Sequence, residues 1–263
     1  MERIASRQNP IVKRFRDLAR TASADAMILD GEHLLEDALG AAVPIEIAAF
    51  AEKHAGDRLA SLVARTAATG ARTITVPHDI LAAISPVNNP SGAVAIARYS
   101  TASLPSILGA SCPLILLLHG VQDPGNVGAV IRAAEACGAT GIITSDGSAD
   151  PFGWKALRGA MGSSFRLPIA VHQDLESAIA QARTAGIRIF ATVPRGGTAL
   201  ASADLRTPCA VLLGGEGPGL PDELVQAADE RLTIPMREPV ESLNVATAAA
   251  LIVYEAARQR SKR

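Results

Sequence analysis

The sequence predicts an α/β protein of two units, the second built on a largely parallel sheet with helices on both faces. Three observations predict it. Short apolar runs alternate with stretches whose apolar residues recur at helical spacing. That alternation breaks once, in "RYSTASLPSILGASCP" (98–113), which is rich in Ser and Pro and lacks sustained periodicity. It then resumes with the almost uninterrupted apolar run Leu114 to Leu118, a strand of the kind buried on both faces. The expected division is 1–100, a linker at 101–112, and 113–263.

The elements follow in order. Asn9-Pro10 reads as a helix start, with Asn as N-cap and Pro in the first turn. Ile11, Phe15 and Leu18 then share one face, which leaves Lys13, Arg14 and Arg16 mostly elsewhere. "MILDG", "PIEIAAF", "ARTITVP" and "GAVAIA" read as strands, with helices around 32–39, 57–68 and 78–84 between them. After the linker come the strands "LILLL", "GIIT", "LPIAV", "IRIFATV", "CAVLLG" and "RLTIP". Helices are expected near 127–137, 154–161, 175–185, 221–227 and 245–260. A strand-helix alternation of this kind implies a parallel sheet.

Composition narrows the function classes. The chain has 263 residues, is 48% hydrophobic and 19% charged, and carries a net charge of −1, a soluble globular composition. No apolar run approaches the ~20 residues that span a bilayer, and the N-terminus lacks the apolar core of a signal peptide. Cys112, Cys137 and Cys209 are widely spaced and odd in number, which points to a reducing, cytoplasmic compartment. His33, His54, His78, His119 and His172 show no HExxH spacing and there is no CxxC, so no metal site is expected. No GxSxG elbow supports a serine hydrolase. With aromatics at 3%, a base-stacking platform is not expected. Charge is unevenly spread: Arg3, Arg7, Lys13, Arg14, Arg16 and Arg20 crowd the N-terminus, and Arg258, Arg260, Lys262 and Arg263 the other end. Such termini suit phosphate contacts, and equally suit solvated helix ends.

Three strand ends in the second unit carry unusual polar turns. They are "GVQDPGNVGAVIRAAEACG" with Asp123, Asn126 and Arg132, "LLGGEGPGLPDEL" with Glu216 among glycines, and "IPMREPVESLNVATAAALIVYE" with Ser242 and Asn244. In a parallel sheet all three lie at carboxyl ends of strands, on the edge where ligands bind. Plainer readings stand beside this one. The glycines supply positive φ, Ser242 or Asn244 caps the last helix, and Arg132 is a solvated helix residue. "DPGNVG" is not GxGxxG; a dinucleotide site would also need an acidic residue about 20 positions on, near where Asp146 stands.

At these segments the sequence resembles the SpoU (TrmH-like) family of RNA ribose 2′-O-methyltransferases, within the SPOUT class. "DPGNVGAVIRAAEACGATGIIT" looks like the family's first motif, "LLGGEGPGL" its second and "IPMREPVESLNVATAAALIVYE" its third. "DPFGWKALRGAMGSSFRLPIA" matches the stretch between them. "SRQNPIVKRFRDLAR", "MILDGEHLLEDAL" and "VNNPSGAVAIA" are similar to the family's N-terminal substrate domain. The resemblance implies a trefoil-knotted catalytic domain at 113–263, a smaller RNA-binding α/β domain of ribosomal-protein type at 1–100, and a homodimer through the C-terminal domain. S-adenosylmethionine is the implied cofactor, held by Thr192, Pro194, Gly214, Ile234 and Leu243. Asn126, Arg132, Glu216, Ser242 and Asn244 are the implied catalytic set. RNA is the implied partner, ribosomal ahead of transfer RNA, and a fold-retaining RNA-binding or ribosome-assembly factor without activity is the rival. Two positions depart from the family's habit: Ala160 stands where Ser is common, and Gly215 where Asn is common.

In the implied reaction a ribose 2′-hydroxyl, a weak acid, attacks the sulfonium methyl in line, so that the O–C bond forms as the C–S bond breaks and the thioether leaves. A guanidinium stays protonated in proteins. Arg132 is therefore expected to clamp a phosphate and stabilise the developing alkoxide, while a phosphate oxygen or water takes the proton.

Overall fold

In the computed structural model, residues 1–21, 23–52 and 57–261 are described; His54, Lys262 and Arg263 fall outside them. By internal packing the chain divides into residues 1–100 with 152–165, and residues 101–151 with 166–263.

The first unit opens with the two-residue strand β1 (Glu2–Arg3) and helix α1 (Pro10–Arg20). Asn9 caps α1, its Oδ1 accepting the Ile11 N–H at 2.9 Å, a contact of the kind that stabilises a helix by about 1 kcal/mol. Val12 and Phe15 turn inward, and Phe15 is fully buried. There follow β2 (Ala26–Asp30), α2 (Glu32–Gly40), β3 (Ile45–Ala51), α3 (Asp57–Ala68), β4 (Arg72–Val76), α4 (His78–Ile84) and β5 (Ala93–Arg98). The sheet order is β1-β4-β3-β5-β2. β1, β4 and β3 are parallel, and β5 runs antiparallel to both β3 and β2.

Segment 152–165 belongs to this unit rather than continuing the second, for identifiable reasons. Phe152 stacks on Tyr99 with ring centroids 4.0 Å apart, and Trp154 packs against the core that holds Phe15. Arg158 stands 3.6 Å from Asp30, whose side chain is almost wholly buried and accepts the Ser85 hydroxyl at 2.6 Å. Burial pushes the Asp30 carboxyl above the usual range against the opposing pull of Ser85 and Arg158.

The second unit begins inside the expected linker. Ser103 caps the short helix α5 (Leu104–Leu108), and Leu104 and Ile107 join the core of this unit. β6 (Leu114–His119), α6 (Pro124–Ala136) and β7 (Gly141–Thr144) come next. The helix Trp154–Ala160 of segment 152–165 is α7. Then follow β8 (Ile169–Ala170), α8 (Leu175–Thr184), β9 (Arg188–Thr192), β10 (Thr198–Ala199), β11 (Cys209–Gly214), α9 (Asp222–Gln226), β12 (Glu230–Thr233) and α10 (Val245–Arg260). The strand order is β10-β12-β9-β11-β6-β7-β8, and every pairing is parallel. β6 and β11 lie side by side at the centre, and Leu114 to Leu118 are buried throughout. That double-sided burial is why "LILLL" shows no alternation. One face packs α5, α8 and α9, while α6 packs against α10 and α10 against β11.

Of the C-terminal basic residues, Arg258 and Arg260 are occupied structurally. The Arg260 guanidinium donates to the carbonyls of Cys112, Pro113, Leu205 and Thr207, tying the end of α10 to the loops before β6 and β11. Arg258 pairs with Glu255 at 2.7 Å. Among the described residues no helix is long and apolar enough to cross a membrane.

Candidate active site

Parallel strands leave their carboxyl ends on one edge, and the neighbours β12, β9, β11 and β6 end there in the loops singled out from the sequence. After β6 the backbone turns at Gly120, with φ +61°. Asp123 then caps α6 by accepting the Asn126 N–H at 2.9 Å, with Pro124 in the first turn. This sets Asn126 on the opening turn of a helix whose N–H groups face the sheet edge.

The loop after β11 comes against this turn with no side chain between the two backbones. The Gly215 N–H donates to the His119 carbonyl at 2.8 Å. A Cβ on Gly215 would stand 1.9 Å from the Gly120 carbonyl oxygen, and one on Gly214 would stand 2.4 Å from the Gly219 carbonyl carbon. Neither position admits a side chain on this backbone path. The glycine that departs from the family's habit at 215 thus belongs to a contact that Asn would force apart.

The three polar segments meet through side chains. Asn126 Nδ2 donates to Glu216 Oε1, and Asn126 Oδ1 accepts from Asn244 Nδ2 at 3.0 Å. Asn244 Oδ1 in turn accepts the N–H groups of Ala246 and Thr247 at 2.9 and 3.2 Å. Asn244 is therefore both the cap of α10 and a member of the polar chain.

A cavity of about 640 Å³ opens beside this chain, within the range of pockets that hold nucleoside-sized ligands. Thr192 and Pro194 line it from the loop after β9, Gly214 and Glu216 from that after β11, and Ile234, Ser242, Leu243 and Asn244 from that before α10. The Thr192 hydroxyl is engaged with the Leu212 carbonyl at 2.8 Å, and Thr233 donates to the carbonyls of Val193 and Pro194. The Thr192 hydroxyl therefore has no proton left to donate to a ligand. The wall combines glycine backbone, apolar Ile234, Leu243, Val245 and Ile252, and the polar groups of Glu216, Ser242 and Asn244. Apolar faces for a purine and backbone groups for a ribose fit S-adenosylmethionine.

Arg132 stands apart. It lies six residues beyond Asn126 on α6, about 9 Å further along the axis and turned some 240° around it. It is exposed, does not line the cavity, and has no hydrogen bond or ion pair among the described residues. The sequence reading also missed Val245, Ala248 and Ile252, which face the cavity from α10. Their apolar helical spacing is visible in the sequence but is the same for core and for cavity wall.

Residues 113–254 match the family described as "SpoU rRNA Methylase family". The chain is 34% identical over 263 residues to an uncharacterized tRNA/rRNA methyltransferase of Synechocystis, covering 98% of this chain and 94% of that protein. It is 31% identical over 258 residues to the 23S rRNA (guanosine(2553)-2′-O)-methyltransferase RlmP of Bacillus subtilis, covering 97% and 98%. Its fold matches the AdoMet-bound rRNA methyltransferase from Sinorhizobium meliloti with a TM-score of 0.88 at 31% identity, over 98% of this chain and 97% of that one. Sequence likeness along nearly the whole length, a matching parallel-sheet fold and the three loops gathered at one edge agree, and the chain belongs to the SpoU rRNA methylase family of RNA methyltransferases.

Proposed function

We propose that this chain methylates the 2′-oxygen of a ribose in ribosomal RNA, using S-adenosylmethionine bound in the cavity beside Asn126, Glu216 and Asn244. The observation that carries this reading is the hydrogen-bonded chain Glu216–Asn126–Asn244, assembled from three distant segments at the mouth of a nucleoside-sized cavity. Relatives named as ribosomal RNA 2′-O-methyltransferases support the substrate class.

Thr192, Pro194, Gly214, Ile234 and Leu243 hold the cofactor, which supplies an electrophilic methyl group on a sulfonium when bound. Ser242 and Asn244 bound the space between that group and the ribose. Asn126 and Glu216 hold the loops after β6 and β11 together, so that the target hydroxyl meets a fixed polar surface. Arg132 clamps a phosphate of the RNA and stabilises the alkoxide as the hydroxyl proton leaves to a phosphate oxygen or water.

Because Arg132 is exposed and does not line its own cavity, we place it at the site of a second copy. α10 supports such a pairing: Leu251 and Tyr254 on its outer face are 43% and 64% exposed, an apolar pair left open to solvent. The knot of the catalytic domain at 113–263 is the arrangement by which the segments after β9, β11 and β12 share one cavity. Residues 1–100 form the RNA-binding domain, and three free cysteines suit a cytoplasmic protein.

The test is transfer of a labelled methyl group from S-adenosylmethionine to ribosomal RNA, followed by mapping of the 2′-O-methyl position. Arg132→Ala is expected to lower transfer at least about a hundredfold while cofactor affinity stays within about threefold. Loss of cofactor binding alone would overturn the assignment of Arg132, and methylation confined to transfer RNA would overturn the substrate.

A further inference from the structure

We propose that Ser145 and Ser148, in the loop after β7, are positioning residues for the methyl-transfer site. They fix the backbone from which Asn126 projects and against which the Glu216 loop rests. The inference rests on the functional reading above for its consequence in catalysis, and on geometry alone for the positioning itself.

The need arises from the turn at Gly120. β6 pairs with β7 in regular register through Leu118 and Thr144, and there the ladder ends. With φ +61° Gly120 leaves the strand direction, so its N–H and that of Val121 find no strand carbonyl. Val121 is fully buried, and an unpaired N–H at such a place is costly.

Two hydroxyls fill the gap. Ser145 Oγ accepts the Gly120 N–H at 3.2 Å and donates to the Asp146 carbonyl at 2.9 Å. Ser148 Oγ accepts the Val121 N–H at 3.3 Å and donates to the Leu118 carbonyl at 3.2 Å. Backbone bonds flank them, from Ser145 N–H to Leu118 O at 2.9 Å and from Ala149 N–H to Val121 O at 2.8 Å. The loop thus continues the β6–β7 ladder past its end with side chains in place of strand. Ser145 is 7% exposed, and both serines donate and accept at once. That use of both sides of a hydroxyl is unavailable to Ala.

What the serines hold is the part of the turn that other site residues rest on. The Gly120 carbonyl faces Gly215 with no room for a Cβ between them, and the neighbouring His119 carbonyl accepts the Gly215 N–H. A displacement of Gly120 is therefore passed to the residue before Glu216 on one side. On the other side it passes through Asp123 to the capped first turn that carries Asn126. Glu216 and Asn126 are the bonded pair. Ser145 and Ser148 act through them and touch neither the cavity nor its contents.

The experiment compares Ser145→Ala, Ser148→Ala, the double variant and the conservative Ser148→Thr with the unaltered chain. Isotope-labelled asparagine reads the Asn126 side-chain amide directly, without cofactor or RNA. In the double variant that resonance is expected to move towards the position of a solvated amide, and in Ser148→Thr to stay. The turnover kcat of the double variant is expected to fall about ten- to hundredfold, with KM for RNA and cofactor Kd within about threefold. Ser148→Thr should keep the unaltered kcat. Should the double variant not fold, each single alanine variant is expected to show the same displacement and kcat loss in smaller degree. An Asn126 resonance unmoved in folded alanine variants overturns the proposal, as does a kcat that follows only the fraction folded. An unaltered chain that methylates no RNA would sink the methyltransferase reading instead, and the Asn126 resonance would still decide the positioning.

Discussion

Asn126 shows at the residue scale why one amide serves where a charged group would not. Its Nδ2 faces a carboxylate and its Oδ1 faces another amide nitrogen, so donor and acceptor are both committed and the side chain has one orientation. The sequence identified Asn126, Glu216 and Asn244 as polar residues on one edge, and which atom meets which became visible only in three dimensions. Arg132 illustrates the opposite case. Its motif singled it out, yet helical geometry turns it from Asn126, and the proposed service to a second copy is of a kind that no spacing within one chain could reveal. Cys209 carries a prediction of its own. Its side chain is fully buried, and burial pushes the thiol up to about 11 against the opposing pull of Arg260. At pH 8 its thiolate is about a hundred times scarcer than that of an ordinary thiol. Iodoacetamide at that pH is therefore expected to leave Cys209 unlabelled in the native chain and to modify it in urea, as read by mass of the peptides. Because the native state keeps its proton longer than the unfolded one, this group's stabilising contribution is complete below pH 9 and declines from there to about pH 11. Labelling at the free-thiol rate would show that the strand end opens readily.

Among the elements, α10 joins a structural task to the proposed functional one at a single residue, and two substitutions separate them. Asn244→Ala removes the cap and the donor to Asn126, and is expected to cost about 1 kcal/mol of stability as well as transfer. Asn244→Asp keeps oxygens for the N–H groups of Ala246 and Thr247, and adds a negative charge where a helix N-terminus favours one by about 0.3–1 kcal/mol. It loses the donor to Asn126 and sets a carboxylate against an acceptor. Thermal melts should therefore find the Asp variant at least as stable as the unaltered chain, while methyl transfer falls about ten- to hundredfold. An Asp variant that transfers methyl at full rate would leave Asn244 a cap and nothing more. The same scale shows what the sequence could declare. α1, α3 and α10 have caps or sustained periodicity, and their observed bounds follow those signals. β1 and β10 are two residues each, too short for any period, and exist because a neighbouring strand offers its edge. α5 was hidden in a Ser- and Pro-rich stretch, although Ser103 followed by Pro105 is itself a helix-start signal. Its hold on the core through Leu104 and Ile107 is tertiary. For the same reason no local pattern announced that 152–165 packs with the first unit, since Phe152 finds Tyr99 and Arg158 finds Asp30 across long sequence separations.

At the scale of the whole molecule, a net charge of −1 hides which cations are free to meet a polyanion. Much of the basic N-terminus is already engaged: Arg3 with Glu52, Arg14 with Glu46, and Arg7 with Asp79 at 3.9 Å. At the other end Arg258 and Arg260 serve α10 itself. Lys13, Arg16 and Arg20 remain, spaced along α1, with no acidic partner among the described residues. Three such cations on the helix of the proposed RNA-binding domain make α1 the surface expected to meet phosphate, a narrower expectation than the charge count allows. Each phosphate contact releases counterions and contributes roughly 0.7–0.9 to the slope of log affinity against log salt. Replacing Lys13, Arg16 and Arg20 together by Gln keeps good helix formers on α1 and should reduce that slope by about 2 to 3. KM for RNA should rise while cofactor Kd stays unchanged, because the substitutions lie outside the cavity lining. Arg258→Gln, which removes a cation already paired, should leave the slope where it was. A triple variant with an undiminished slope would move the RNA contact off α1, and a slope lost equally in Arg258→Gln would mean that affinity follows total charge rather than this surface.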